Sequence, residues 1–401
     1  SGKPKRADLG SIDELDRRVT RWRTSLGLDS RLGEMRDEDA DSSERLLGPD
    51  GAFNDGMRSQ DGESEELAAG RELRLFLVAP ILSLLPKDPE TLFIVADDLI
   101  QLIPLDALPS YGERVGDSFD LVNLASIGDL QVRPSGPQLT PSYLAITEID
   151  YDRGEEFSSR SGWVQAAGID SSGLLNGLVK LPALPTSQAE VQVVFDALNR
   201  EFNGGGRLLV GDEVNKLSLA KQVSGVGYLH FATHGWFARE EVGGLDDGQQ
   251  FRSSVFDREL RFGNRGANVG LAISGANLGR NLVGHTPGIL TIEELGKLDL
   301  SMCELVTLSG CNPGLDVQLA ARGVEDLRFA LHRAGTNYSL ISLWDCDPEA
   351  TKKMLQAFYT YHWKDDLPIS KALWKAKRSL RAGGFPPRDW AGWNLTGYTA
   401  Q

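Results

Sequence analysis

Short apolar runs recur along this chain with helix-period segments between them, and that alternation constrains the fold more than any other feature. Tyr143–Ile149, Arg207–Val210, Tyr228–Ala232, Leu305–Leu308 and Tyr338–Leu343 have strand length and strand composition. Between and after them, Ser187–Leu198, Leu217–Val223, Pro348–Trp363 and Ser370–Leu380 repeat apolar residues at helical spacing, and Val324, Leu327, Leu331 and Ala334 share one helix face. Apolar strands alternating with helices predict an α/β fold with a mostly parallel central sheet and helices on both faces. Further N-terminal, Leu75–Leu85 is predicted as a helix. Thr91–Ala96 is predicted to form a hairpin with Leu99–Ile103 across the Asp97-Asp98 turn. Ser187 and Glu190 read as a capping box, and Gly335 as a left-handed helix stop.

Composition divides the chain into three parts. In residues 1–70, Ser11–Leu26 reads as a helix: Ile12, Leu15, Val19 and Trp22 recur after a Ser11 cap. From about Gly33 to Glu66 the chain is rich in Asp, Glu, Ser and Gly, which predicts a solvated, flexible linker. Residues 71–225 form the first half of the α/β domain and 226–401 the half that carries the reactive residues. Trp236–Ile289 is Gly-rich and charged, and reads as a long insertion or flexible loop.

Several function classes are disfavoured. The net charge is −15 and no basic run interrupts it, which argues against binding a phosphate backbone. The three cysteines, Cys303, Cys311 and Cys346, give neither a disulfide framework nor a C-x-x-C metal pair. A reducing, cytoplasmic setting fits them, and no metal or other cofactor is called for. Leu75–Leu85 contains Pro80 and is too short to cross a bilayer, and no secretory leader opens the chain. The start Ser-Gly-Lys-Pro lacks Met, which predicts a trimmed start downstream of further chain.

In open parallel sheets, ligands bind beyond the carboxyl ends of the strands. Two predicted strands end in reactive side chains. The run Tyr228–Ala232 leads into Thr233-His234-Gly235-Trp236, and Leu305–Leu308 leads into Ser309-Gly310-Cys311-Asn312-Pro313-Gly314. A thiol needs a base beside it to become a thiolate near neutral pH, and an imidazole serves and later protonates a leaving amine. The expected pair is Cys311 as nucleophile and His234 as its proton-transfer partner. Backbone N–H groups of Gly235 and Cys311 are the natural donors to a developing oxyanion. His230 lies two residues deeper and reads as a core histidine. Cys303 precedes its strand and Cys346 lies in a turn, so both read as non-catalytic. Trp236 reads equally as the floor of a substrate groove or as ordinary packing.

Ala-Thr-His-Gly (Ala232–Gly235), L-S-G-C-N-P-G (Leu308–Gly314) and S-L-W-D-C-D-P-E-A-T (Ser342–Thr351) resemble the CHAT family of caspase-like peptidases, and the related separases. Ile94–Pro109, Leu181–Glu190, Gly288–Leu295 and Trp390–Tyr398 follow the family's order, so the resemblance covers roughly residues 70 to 401. It implies a caspase-like α/β sandwich, peptide-bond hydrolysis by His234 and Cys311, and no cofactor. Many relatives carry Cys-Glu-Thr-Gly where this chain has Cys311-Asn312-Pro313-Gly314, a difference that bears on the rim and on no catalytic atom. The family often accompanies tetratricopeptide repeats; none is visible in this sequence, so an upstream repeat or sensor module is the expected partner, with a protein or peptide as substrate.

Separases hold a P1 arginine with an acid near the segment matching Leu343–Glu349. Asp345 and Asp347 are the acids there, which predicts cleavage after Arg, and less well after Lys. Asp347, followed by Pro348 and Glu349, equally has the profile of a helix N-cap. The leading reading is a regulated endopeptidase with Trp236–Ile289 as an activation loop. The alternatives are a catalytically silent scaffold for protein–protein interaction and a cysteine-dependent acyl transferase.

Overall fold

The computed structural model describes residues 5–28, 64–85, 89, 91–130, 142–153, 181–202, 204–237, 269–278, 288–310 and 317–397. Eight strands form one sheet in the order β1-β4-β13-β12-β11-β7-β5-β6. They are β1 (Thr91–Ile94), β4 (Asp120–Asn123), β5 (Tyr143–Ile149), β6 (Gly206–Gly211), β7 (Tyr228–Ala232), β11 (Leu305–Ser309), β12 (Tyr338–Ser342) and β13 (Trp393–Gly397). Every neighbouring pair in this sheet is parallel except β12–β13, so β13, β4 and β1 run against the other five. Among the described residues the remaining strands are the small hairpin β2 (Pro109–Ser110) and β3 (Glu113–Arg114), and an antiparallel sheet of β10 (Ile289–Thr291), β9 (Val269–Ala272) and β8 (Gly235–Phe237).

Side-chain alternation along the central strands builds two cores. Tyr143 and Ala145, Tyr228 and Ala232, and Leu305 face one cluster; Leu144 and Ile146, Leu229 and Phe231, and Val306 and Leu308 face the other. Seven longer helices cover these faces: α1 (Ile12–Ser25), α2 (Glu65–Leu82), α3 (Ser187–Phe202), α4 (Lys216–Gln222), α5 (Val317–Ala334), α6 (Pro348–Tyr359) and α7 (Ile369–Ala382). The first core takes Val194 and Leu198 of α3, Met354 and Phe358 of α6 and Ala376 of α7. The second takes Leu219 of α4 and Leu327 and Leu331 of α5. Each large apolar side chain buried this way contributes roughly 1.5–3 kcal/mol. α5 ends as its sequence predicts: Gly335 has φ +116° and its N–H returns to the Leu331 carbonyl at 3.2 Å.

Helix α1 belongs to this fold. Ser11 accepts the Glu14 N–H at 3.2 Å, and Val19 and Trp22 are fully buried against α2. α2 makes room at Gly70, where a Cβ would lie 2.9 Å from the Trp22 indole nitrogen and 2.6 Å from Pro109. The Trp22 N–H points to Glu66, which also receives both Nη groups of Arg114, at 2.7 and 3.2 Å. The acidic stretch predicted as a linker falls almost entirely outside the described residues; Ser64 and Glu65 form the start of α2, with the Ser64 hydroxyl accepting the Leu67 N–H.

Three expectations are corrected. Thr91–Ala96 and Leu99–Ile103 form no hairpin: β1 pairs in parallel with β4, and Asp98–Leu102 is a 3-10 helix with Leu99 and Leu102 buried three residues apart. Strands β4 and β13 went unpredicted; β4 reads D-L-V-N, and β13 interrupts its apolar residues with Asn394 and Thr396. The segment read as an insertion carries β9 (Val269–Ala272), which pairs with β8 (Gly235–Phe237) and β10 (Ile289–Thr291). Gly270 lets β10 approach, because a Cβ there would lie 2.4 Å from the Leu290 carbonyl oxygen.

Candidate active site

The parallel register sets Ala232 beside Ser309, so β7 and β11 end together at one rim of the sheet. The ladder runs one bond further, with the Thr233 N–H on the Ser309 carbonyl at 3.3 Å. Beyond it the chain leaves the large sheet: His234 follows at once and Gly235 opens β8. Thr233 is held below the rim. Its hydroxyl donates to the Ala272 carbonyl at 2.6 Å and so accepts from the Tyr151 hydroxyl at 2.9 Å. Burial raises the Tyr151 hydroxyl above its ordinary range, while bonds to Thr233 and the His234 backbone pull the other way; Tyr151 stays a neutral donor.

His234 is half-buried, with its ring 5.4 Å from that of Tyr151. Its Nε2 lies 2.8 Å from the Pro182 carbonyl oxygen. Only a protonated nitrogen can meet a carbonyl, so Nε2 carries the proton and Nδ1 holds the lone pair of the neutral ring. The ring is thereby set in one tautomer with its basic nitrogen defined. The Ala272 N–H bonds the His234 carbonyl at 2.9 Å, which makes Gly235 and Leu271 a pair of the kind whose own N–H groups do not bridge the strands. The Gly235 N–H therefore points away from β9.

Gly310 follows β11 with φ +82°, and a Cβ there would sit 3.1 Å from the Thr233 carbonyl oxygen. Glycine is required both by the left-handed backbone and by this approach. Cys311, the predicted nucleophile, lies outside the described residues; Gly310, its neighbour in the chain, stands beside Thr233, the neighbour of His234. The other two thiols are chemically quiet. Burial pushes Cys303 and Cys346 each up to about 12, so both are protonated at neutral pH.

The third strand end at this rim is that of β12, parallel to β11. Beyond Ser342, Trp344 is pinned by its indole N–H on the Arg388 carbonyl at 2.7 Å and by Gly392, where a Cβ would touch its ring. Asp345 and Asp347 emerge from this turn exposed. Asp347 caps α6, its Oδ1 accepting the Glu349 and Ala350 N–H groups at 2.9 and 3.0 Å. β12 and β7 are separated by β11, so these acids rise two strand spacings, about 10 Å, from the His234 strand. Trp236 continues β8, and its side chain is outside the described set. Among the described residues no three His, Cys, Asp or Glu side chains gather as metal ligands, and no helix is long and apolar enough to cross a membrane.

Four groups at the site were missed from the sequence. Pro182 acts through a backbone carbonyl, which has no side-chain signature. Asn277 accepts the Leu181 N–H at 2.9 Å and donates to its carbonyl at 3.0 Å, a contact across 96 residues. Tyr151 follows β5 and shows no motif. Glu190 was read as half of a capping box, and that reading is corrected: the Ser187 hydroxyl donates to the Leu184 carbonyl at 2.7 Å, and Glu190 turns inward to Ser309.

An open, mostly parallel sheet covered on both faces, with the carboxyl ends of β7, β11 and β12 at one rim, defines a caspase-like α/β protein. The chain belongs to the CHAT domain family, whose model matches residues 67–398. The family is caspase-like and peptidase-related. No curated protein matches the chain significantly.

Proposed function

We propose that the chain is a cysteine endopeptidase using His234 and Cys311. The observation that carries this reading is the fixed tautomer of His234, set by Pro182 at the strand end next to the one that leads into Cys311. In the proposed reaction, Nδ1 of His234 takes the Cys311 thiol proton, the sulfur attacks the scissile carbonyl, and the imidazolium returns the proton to the leaving amine. Water then hydrolyses the thioester. The Gly235 and Cys311 N–H groups receive the oxyanion, and Trp236 floors the groove.

The proposed P1 residue is Arg, or less well Lys, met by Asp345 and Asp347. The cap engages Oδ1 of Asp347, which leaves Oδ2 for a guanidinium. The proposed partners are a protein or peptide substrate and an upstream sensor module that regulates cleavage in the cytoplasm.

A peptide acyloxymethyl ketone tests the dyad. Modification of Cys311, lost in His234→Ala, is expected; labelling that persists unchanged in that variant rejects it. Profiling against a P1 peptide library, with Cys311→Ala as control, tests the specificity, and no preference for basic residues ends that part.

A further inference from the structure

Behind the rim, four polar side chains form an unbroken line through the core. The Tyr143 hydroxyl lies 2.9 Å from Nδ1 of His230, and Nε2 of His230 lies 3.0 Å from the Ser309 hydroxyl oxygen. The Ser309 hydroxyl donates to the Glu190 carboxylate, which also stands 3.5 Å from Nε2 of His230. Apolar β-strand surroundings enclose the line: the His230 side chain is wholly buried and that of Glu190 is 12% exposed.

Proton accounting gives the line one direction. Ser309 has a single hydroxyl proton, and it is spent on Glu190. Its oxygen must then accept from Nε2–H of His230, so Nδ1 accepts from Tyr143. Burial holds the Tyr143 hydroxyl far above its ordinary range, which keeps it a donor. Every donor has one acceptor, and the chain terminates on the carboxylate. Without an acceptor at position 190, the Ser309 proton is left only the Phe231 carbonyl at 3.5 Å, a long and weak bond, and the hydroxyl loses the contact that fixes it.

The same stretch of chain holds both strand ends. Between Leu181 and Glu190, the Pro182 carbonyl takes His234, Leu184 packs 3.6 Å from where a Gly310 Cβ would stand, and Glu190 takes Ser309. The position of the β11 end relative to His234 is therefore set by one segment gripping each side.

We propose that Glu190 is a positioning residue for the peptidase site, acting through Ser309 to hold the strand end that leads into Cys311. This rests on the dyad reading above. Glu190 acts through Ser309; it fixes where β11 ends relative to the imidazole.

The test uses the full chain as wild type, Glu190→Ala, Glu190→Gln and Ser309→Ala. Each is measured for melting temperature, for kcat and KM on a P1-Arg peptide, and for the pH midpoint of Cys311 alkylation by iodoacetamide. Glu190→Ala and Ser309→Ala are expected to lower kcat about 10- to 100-fold with KM little changed. Both are expected to raise the alkylation midpoint, because a displaced sulfur loses its cation. Glu190→Gln keeps an acceptor oxygen and is expected to recover most of both. A folded Glu190→Ala with the wild-type kcat and midpoint overturns the proposal, as does a loss confined to melting temperature. Should Glu190→Ala fail to fold, Ser309→Ala decides by the same readouts. Wild type that alkylates at Cys311 but cleaves no peptide overturns the peptidase reading, while the midpoints still decide the role of Glu190.

Discussion

Asn277 holds Leu181 as a strand partner would, with its amide oxygen on the Leu181 N–H at 2.9 Å and its amide nitrogen on the Leu181 carbonyl at 3.0 Å. The next residue, Pro182, presents the carbonyl that orients His234. The same Asn277 nitrogen lies 3.1 Å from Asp152, which follows β5, so the side chain ties the segment to the sheet. Removing it in Asn277→Ala frees the start of the segment without touching His234. If His234 is the base as proposed, the expected result is a kcat about tenfold lower with little change in KM, since small misplacement of a base weakens the reaction more than it weakens binding. Steady-state kinetics on a peptide substrate checks this, and a variant as fast as wild type shows that Pro182 needs no such tether.

Gly310→Ala addresses the other side of the proposed dyad. The φ of +82° disfavours any side chain, and the Cβ would press on the Thr233 carbonyl at 3.1 Å. Left-handed strain costs about 1–2 kcal/mol, and relief requires the backbone to move at the residue before Cys311. The variant is expected to fold with a modestly lower melting temperature and to lose most of its hydrolytic activity. A melting curve measured beside an activity assay separates the two effects; full activity would mean that the turn tolerates another conformation.

The three cysteines are expected to part company in labelling. Burial pushes the Cys303 and Cys346 thiols up to about 12, the latter with Asp389 and Asp345 nearby. At neutral pH in the folded protein neither should react with iodoacetamide, and Cys303→Ala and Cys346→Ala should keep hydrolytic activity. Peptide mass mapping after brief alkylation reads this directly. Modification of either residue as fast as Cys311 would contradict it.

The central strands were legible because each is short, bounded and largely apolar: Tyr143–Ile149 and Tyr228–Ala232 match residue for residue. His234 could be placed just past a strand end because a strand that stops announces its rim; Cys311, placed by the same reasoning, lies outside the described residues. What stayed hidden depends on tertiary partners. Asp120–Asn123 carries two apolar residues between two polar ones and becomes a strand only because β1 and β13 flank it. Glu190 in Ser187-x-x-Glu190 has capping-box spacing, but a partner 119 residues away outcompetes the local bond. Pro182 works through a carbonyl that every residue has. Local pattern identifies which groups can react; long-range contacts decide how they are held.

His362 gives the fold a pH response away from the rim. Its Nδ1 donates to the Leu367 carbonyl at 2.9 Å, so Nε2 accepts from the Tyr228 hydroxyl, also at 2.9 Å. Burial lowers the His362 pKa below its ordinary value of 6.5, with the bond to the Leu367 carbonyl, then Glu304 and Asp366, opposing. The unfolded chain then binds the proton before the folded one does. Stability is complete above pH 6.5, declines as pH falls below it, and levels off once the folded imidazole is itself protonated. Denaturant midpoints taken between pH 7.5 and 5 in wild type and His362→Gln should converge as pH falls, other groups cancelling in the comparison. Curves that stay parallel would show that His362 is no more buried in charge terms than in the unfolded chain.

One close packing contact reaches outside the family match. Residues 67–398 fit the family, and α1 precedes them, yet Trp22 is fully buried and Val19 with it. Gly70 permits this: a Cβ there would lie 2.9 Å from the Trp22 indole nitrogen and 2.6 Å from Pro109, and neither neighbour is a flexible chain end that can swing aside. Gly70→Ala therefore separates α1 from α2 and opens the Glu66–Arg114 pair to water, at a cost of about 1–3 kcal/mol for overpacking. Trp22→Ala leaves a cavity in the same place and is expected to cost about 3–5 kcal/mol. Both should lower the midpoint of chemical unfolding, Trp22→Ala by more. If neither moved it, α1 would be a passenger on the domain, and the burial of Trp22 would contribute nothing to holding the first core together.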